Sequence, residues 1–154
     1  MIRKFKPEDI HQVMQIWLDG NVEAHDFIDA SYWKSHYDSV QEQLPEAEIY
    51  VYEEETEKKD EMQTPAILGF VGMAGDYLAG IFVDRRSRSM GIGKTLLDYV
   101  KGKHDSFSLN VYQKNEAAVR FYLREGLTIS AEGTDEETKE PDYTMTWCGN
   151  QGVF

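Results

Sequence analysis

The sequence predicts an α+β fold in which one central sheet is covered by helices on both faces. Strand-like segments at residues 66–72 and 77–83 follow each other directly and form a meander. Later strand-like segments alternate with single helix-like segments, which start near Ile92 and Asn115. A length of 154 residues suits one domain, and an apolar fraction of 41% can supply its core. We therefore expect a single domain over residues 1–154.

The first part of the chain is expected to form a short strand and two helices. Residues 2–5 form the strand, and the Pro-Glu-Asp sequence after it favours a helix start. Apolar residues then recur at helical spacing, and Gly20 or Asn21 is expected to end this first helix. A second amphipathic helix is expected over residues 31–44, because Pro45 cannot continue it.

Short apolar runs and turn signals predict the remaining elements. Residues 49–52 alternate like a strand, and the charged stretch 53–64 is expected to be a loop. The apolar stretch 66–83 is interrupted by several glycines and by Asp76, so two buried strands are expected there rather than a membrane span. The antiparallel pair expected near the end of the chain comprises residues 127–131 and 143–147.

The composition restricts the partners and the compartment that we expect. The net charge of -12 repels nucleic-acid backbones, and it mildly favours cationic amines as ligands. The one cysteine, Cys148, cannot form an intramolecular disulfide, and no signal peptide is recognisable. We expect a cytoplasmic monomer or homodimer with no nucleic-acid and no membrane partner.

The most informative motif is the run Arg88-Ser-Met-Gly-Ile-Gly93-Lys94, which lies between a predicted strand and a predicted helix. Its glycines let backbone N–H groups approach an anion, and a helix N-terminus adds about half a unit of positive charge. Arg85, Arg86 and the basic residues of the run itself surround this loop in an otherwise acidic chain. The sequence therefore predicts a phosphate-binding loop.

Two better-known phosphate motifs do not fit this loop. A Walker A motif needs a glycine five positions before Gly93, where Arg88 stands. A dinucleotide fingerprint needs a small residue three positions after Gly93, where Leu96 stands. The pattern that remains is Arg-x-x-Gly-x-Gly.

A second motif lies downstream, in Asn115-Glu-Ala-Ala118-Val-Arg-Phe121-Tyr122-Leu-Arg-Glu-Gly126. It predicts a helix with an Asn N-cap and a glycine after its end. The two motifs together, in this order and spacing, resemble those of the GNAT superfamily of N-acetyltransferases over about residues 66–127. The resemblance implies a mixed, mostly antiparallel sheet with a V-shaped splay between two parallel middle strands, here 78–83 and 107–111.

The resemblance also implies acetyl-CoA as the co-substrate and no metal ion. The pantetheine amides would pair with the backbone of one strand edge, and the pyrophosphate would bind the loop N–H groups. The expected strand-edge residues are Ile81, Phe82 and Val83. The expected loop residues are Arg88, Ser89, Met90, Gly91, Ile92, Gly93 and Lys94, and two amide side chains, Asn110 and Asn115, complete the expected cofactor-binding set.

The reaction implied by the resemblance is direct transfer of an acetyl group to a primary amine. Tyr122 matches the family position of the general acid, and a phenol with a pKa near ~10 can share its proton with a thiolate. Asn110 stands where some relatives carry a glutamate base, and an amide cannot accept a proton usefully. The base therefore stays open among Glu23, His25, Asp26, Asp76 and a water chain.

The acceptor is expected to bind between the first two helices. The candidate acceptor-binding residues are His25, Phe27 and Asp76, since relatives shape this pocket from the segment around His25. The sequence leaves open whether the acceptor is a small-molecule or a peptide amine. The alternative function is a non-catalytic sensor that binds acyl-CoA without turnover.

Overall fold

The computed structural model describes residues 1–55 and 65–149, and this part of the chain forms one sheet of seven strands. The strands are β1 (Ile2–Lys4), β2 (Glu48–Glu53), β3 (Ile67–Ala74), β4 (Tyr77–Val83), β5 (Ser106–Tyr112), β6 (Thr128–Thr134) and β7 (Pro141–Cys148). Their order across the sheet is β1-β2-β3-β4-β5-β7-β6. Neighbouring strands are antiparallel except β4 and β5, which are parallel.

Helices cover both faces of this sheet, as the sequence predicts. They are α1 (Ile10–Ala24), α2 (Ala30–Gln43), α3 (Ile92–Lys101) and α4 (Glu116–Arg124). One core lies under α1 and is formed around Val13, Met14 and Phe70, and the other lies under α3 and α4 around Leu97 and Leu109. The predicted α+β fold class is therefore confirmed, while the single-domain assignment stays a prediction.

The first helix continues past its predicted end. Gly20 and Asn21 both lie inside α1, which ends at Ala24. Gly20 allows a close approach, because a Cβ atom there would lie 3.1 Å from the Phe82 ring. The buried Asn21 side chain donates a hydrogen bond of 2.9 Å to the carbonyl oxygen of Trp17. The prediction was wrong because packing uses both residues within the helix.

The strands near the C-terminal end are longer than predicted. Because β6 and β7 extend toward each other, the acidic connection between them shortens to residues 135–140. Most of the predicted charged loop at 53–64 lies outside the described residues.

The two parallel strands diverge, and this divergence creates the predicted splay. Within the described chain, the β4–β5 register contains one pair, Tyr77 with Ser108. By contrast, β5 pairs with β7 along its whole length from Ser106 to Tyr112. The register of β4 with β3 skips Ala79, which makes a β-bulge at the start of the splay. A gap therefore opens between β4 and β5 toward their C-terminal ends.

A charged cluster lies at the closed end of the splay. The His104 ring contacts Glu48 Oε2 through Nε2 at 3.0 Å and Asp76 Oδ1 through Nδ1 at 3.1 Å. The Asp76 carbonyl oxygen accepts a 3.0 Å hydrogen bond from the N–H of Ser108. The hydrogen bonds to Glu48 and then to Asp76 raise the pKa of His104 above its ordinary value. The cluster therefore favours the charged imidazolium in the folded protein.

We expect His104→Gln to reveal a pH-dependent contribution of this cluster to stability. Because the folded pKa of His104 is raised, its stabilisation is fully present below about pH 6.5 and is lost as pH rises through the folded value. Solvent screens the largely exposed Asp76, so the expected contribution is about 0.5–1 kcal/mol. Chemical denaturation between about pH 5.5 and pH 8.5 should show the difference from wild type shrinking with pH. The control is His11→Gln on the exposed surface of α1, and a pH-independent difference for His104→Gln would contradict the prediction.

Candidate active site

The predicted phosphate loop connects β4 to α3 and ends in a helix N-terminus. A 3-10 turn at Arg85–Ser87 is capped by Asp84, whose carboxylate accepts a 2.9 Å hydrogen bond from the N–H of Arg86. Ser89 and Gly91 then adopt positive φ angles of 68° and 77°. These turns direct the chain into α3.

The backbone N–H groups of this loop are available for an anion. The first hydrogen bond of the helix runs from the N–H of Thr95 to the Gly91 carbonyl oxygen at 3.0 Å. None of the N–H groups from residue 89 to residue 94 donates to a described residue. A Cβ atom at Gly91 would meet nothing within 4 Å, so the space above the loop is open. The structure thus brings the predicted loop residues together as donors at a helix N-terminus.

The basic side chains around the loop are largely paired with carboxylates. Arg86 contacts Asp84, and Lys94 contacts Glu125 at 2.9 Å and Asp98 at 3.2 Å. Arg88 binds Glu23 of α1, with Nη1–Oε1 at 2.6 Å and Nη2–Oε2 at 3.2 Å. Arg85 is exposed and makes no ion pair with a described residue. Most of the positive charge predicted for the loop is therefore locally offset.

The expected strand-edge residues lie along the open part of the splay. Ile81 and Val83 pack toward the core under α3, whereas the Phe82 ring stacks on Phe70 with a centroid distance of 5.0 Å. Because the described β4–β5 pairing stops at Tyr77, the β4 backbone groups that point toward β5 lack a strand partner beyond that residue. These groups can pair with the amides of an extended ligand.

Tyr122 and Asn110 lie near the closed end of this gap. Tyr77, which the sequence did not indicate, lies there with them. The Tyr77 hydroxyl donates a 2.9 Å hydrogen bond to Asn110 Oδ1, and Asn110 Nδ2 donates to Thr144 Oγ1 at 3.1 Å. Tyr122 is buried in the core under α4. Burial, with a smaller contribution from Tyr77, raises the pKa of Tyr122 well above its ordinary value. The Tyr122 phenol is therefore protonated at neutral pH and can only donate a proton.

An aromatic wall lies across from the cofactor loop, at the connection between α1 and α2. The His25 ring stacks on Trp33 at 5.1 Å and meets the edges of Tyr112 at 5.1 Å and Phe27 at 5.7 Å. Burial lowers the pKa of His25, so its imidazole is neutral at physiological pH. Asn115 caps α4 through Oδ1 and places Nδ2 3.3 Å from His25 Nε2. His25 and Phe27 thus lie together in this wall, with Asn115 at its edge.

Acidic residues of the β6–β7 connection border the same wall. The Tyr112 hydroxyl donates to Asp135 Oδ2 at 3.1 Å, and the Tyr32 hydroxyl of α2 donates to Glu137 Oε2 at 2.5 Å. Sequence reasoning missed Tyr112 and these acids, because the contacts join residues far apart in the chain. A pattern of aromatic rings beside carboxylates suits a cationic amine with an aliphatic stem.

Three residues are predicted to bind the acceptor amine, and the structure places Asp76 apart from His25 and Phe27. Asp76 lies in the turn before β4 and contacts His104, whereas the aromatic wall lies toward the opposite end of the splay. Asp76 is hydrogen-bonded to Ser108, and four residues of β5, which correspond to about 13 Å, separate Ser108 from Tyr112 of the wall. His25 and Phe27 are therefore brought together without Asp76.

The described residues contain no group of three or more His, Cys, Asp or Glu side chains that could hold a metal ion. Among the same residues, no helix is both long enough and apolar enough to span a membrane.

Comparison with known proteins adds three findings. Residues 10–127 match the model of the Acetyltransferase (GNAT) family. The chain is 34% identical over 149 residues to the peptidyl-lysine N-acetyltransferase YiaC of Escherichia coli (strain K12), covering 96% of each protein. It is 26% identical over 140 residues to the peptidyl-lysine N-acetyltransferase YjaB of the same strain, covering 91% of this chain and 90% of that protein.

Solved structures share the architecture. The solution structure of apo-form YjaB from Escherichia coli matches with a TM-score of 0.78 and 26% identity over 97% of each chain. The structure of yncA, a putative acetyltransferase from Salmonella typhimurium with its cofactor acetyl-CoA, matches with a TM-score of 0.63 over 100% of this chain and 96% of that chain. Its identity of 16% supports similarity of fold alone.

The two loop glycines should respond differently to alanine. Gly91 has a φ of 77°, so Gly91→Ala should lower the free energy of unfolding by about 1–2 kcal/mol. Gly93 lies inside α3 with ordinary φ, and its added Cβ would lie 3.7 Å from Phe121, so Gly93→Ala should raise stability by about 0.5 kcal/mol. Urea denaturation of both variants measures the difference, and equal effects at the two positions would contradict the conformation described for the loop.

Proposed function

Because this chain belongs to the acetyltransferase (GNAT) family and is an acetyl-CoA-dependent N-acetyltransferase, we propose that its acceptor is the side-chain amine of a lysine in a peptide or protein. The observation that carries the proposal is the 34% identity to a peptidyl-lysine N-acetyltransferase over 96% of both chains. The alternative of a binding-only sensor is set aside, because the enzyme prediction is confirmed by the family and by these relatives.

The acetyl-CoA contacts proposed for this chain use main-chain groups more than side chains. The N–H groups from residue 89 to residue 94 suit the pyrophosphate, since they lie at a helix N-terminus without a described partner. The backbone of residues 81–83 suits the pantetheine amides, since it borders the splay. Both sets of residues suit acetyl-CoA, because each presents backbone hydrogen-bonding groups that have no partner in the described fold.

In the proposed reaction, the neutral lysine amine attacks the thioester carbonyl carbon. The new C–N bond forms, the C–S bond breaks, and the CoA sulfur leaves with the electron pair. Tyr122 donates its phenolic proton to that sulfur, and its raised pKa keeps the phenol protonated until this step. A β4 backbone N–H that faces the gap stabilises the oxygen as negative charge develops on it. The proton of the attacking amine passes to water, and the phenolate regains a proton from solvent.

The acceptor is proposed to lie along the aromatic wall. The aliphatic stem of a lysine can pack on the Phe27 and Tyr112 rings, which meet edge to face at 5.7 Å. Asp135 and Glu137 border this surface and attract the cationic side chain before it loses a proton. The neutral His25 imidazole keeps the wall free of repelling positive charge.

The proposed acceptor class is tested with lysine-containing peptides. Incubation with acetyl-CoA should raise the peptide mass by about 42 Da for each lysine that gains an acetyl group. A peptide whose lysines are replaced by arginine should stay unmodified. Gly91→Glu should abolish transfer, because a carboxylate would enter the phosphate-binding loop. Mass spectrometry of the peptides measures both results. Transfer to small-molecule amines but to no lysine peptide would reject the peptide assignment and retain the enzyme.

We expect Tyr122→Phe to lower kcat by about 10²–10⁴-fold, because the phenylalanine ring keeps the packing but has no proton to donate. CoA affinity and thermal stability should change little, since the substitution keeps the buried aromatic ring. Steady-state kinetics on an accepted peptide and calorimetry with CoA measure these quantities. The matched control is Phe121→Leu beside it on α4, which keeps Tyr122. Unchanged kcat in Tyr122→Phe, with chemistry rate-limiting, would remove the general-acid role.

A further inference from the structure

The ion pair between Glu23 and Arg88 joins the phosphate loop to the aromatic wall. Both guanidinium Nη atoms of Arg88 contact both carboxylate oxygens of Glu23, at 2.6 Å and 3.2 Å. Such a two-point contact matches the geometry with which arginine binds a phosphate. The hydrogen bonds from Arg88 keep the pKa of Glu23 below its ordinary value, so the carboxylate is ionised at neutral pH. Glu23 therefore occupies the groups of Arg88 that a pyrophosphate would use.

Glu23 differs from the other carboxylates that pair with basic residues of the loop. Asp84 belongs to the turn itself, and Glu125 connects α3 with the end of α4. Glu23 lies in the last turn of α1, two residues before His25 of the wall. If Arg88 releases Glu23, the end of α1 can move, and His25 of the aromatic wall is only two residues further along the chain.

We propose that Glu23 competes with the pyrophosphate of acetyl-CoA for Arg88, and that this competition couples cofactor binding to the position of the aromatic wall. The inference rests on the proposed function, and it takes Arg88, one of the loop residues expected to bind the cofactor, as a ligand of the pyrophosphate. When phosphate oxygens take the guanidinium, the Glu23 carboxylate loses its two-point contact and lies beside the phosphate charge, with Arg85 as the remaining basic residue that acts on it. Repulsion then moves the end of α1 away from the loop.

The wall contains an unsatisfied buried donor, which favours such a rearrangement. Trp33 Nε1 is buried without a hydrogen-bond partner among the described residues. Trp33 is only 9% exposed, so solvent does not readily supply the missing partner. An unsatisfied buried donor destabilises the arrangement that contains it. A movement of the wall that gives this donor a partner would therefore be favoured once Arg88 releases Glu23.

The first test compares CoA affinity in Glu23→Gln and wild type. Removing the competing charge should tighten CoA binding about two- to fivefold, because the pair is half-exposed and screened. Asp19→Asn is the matched control: it removes one negative charge one turn earlier on α1, where Asp19 contacts Gln15 and not Arg88. In an Arg88→Ala background, Glu23→Gln should no longer change the affinity. Isothermal calorimetry with CoA measures all five proteins, counting the Arg88→Ala single variant.

The second test measures the coupling to the wall. Hydrogen exchange of peptides covering residues 23–33 should rise when CoA is added to wild type, because the end of α1 is released. Glu23→Gln should show part of this increase before CoA is added, and Asp19→Asn should not.

Two results would overturn the inference. One is a CoA affinity of Glu23→Gln equal to that of Asp19→Asn, or a gain that persists in the Arg88→Ala background. The other is unchanged exchange of residues 23–33 on CoA binding. A wild-type protein that still acetylates lysine peptides under either result would leave the proposed function standing.

Discussion

The early end of the parallel pairing between β4 and β5 is the constraint on which the rest of the site depends. Each strand is paired along its other side, β5 with β7 throughout and β4 with β3 except at the Ala79 bulge, so the unused hydrogen-bonding groups lie mainly toward the gap. Buried backbone groups need partners, and an extended chain of amides is a complementary set. The bulge at Ala79 begins this divergence, and the hydrogen bond from Ser108 to Asp76 closes its other end.

Most basic side chains of the predicted phosphate loop are not free to bind an anion, because carboxylates already contact them. In a chain of net charge -12, Arg86, Arg88 and Lys94 each contact a carboxylate, so the anion site consists mainly of oriented N–H groups. The positive φ angles of Ser89 and Gly91 determine where those groups point. Backbone dipoles are rigidly held and need no side-chain ordering, whereas an arginine that already binds a carboxylate would have to exchange it for a phosphate.

Local signals predicted the elements that carry the two motifs. Asn115 caps α4 by accepting a hydrogen bond from Ala118, and Gly126 follows the helix with a φ of 96°. Both features depend on residues within one or two turns, so the sequence alone can indicate them. Asp9 illustrates the opposite case. It stands at the helix start, as expected, and accepts a hydrogen bond from the N–H of Lys6 there. Its side chain, which is only 2% exposed, also binds the guanidinium of Arg3 at 2.8 Å and so connects the helix start to β1, which no local signal indicates.

The sequence by itself determined the α+β class, the glycine-rich loop before α3 and the helix that carries Tyr122, because hydrophobic period, caps and glycine positions act over a few residues. Only the tertiary structure decided which distant groups meet. Glu23 and Arg88 are 65 positions apart, and Tyr32 and Glu137 are 105 apart, yet each pair is in direct contact. The sheet order brings them together, and no local pattern records a contact that depends on how strands and helices pack.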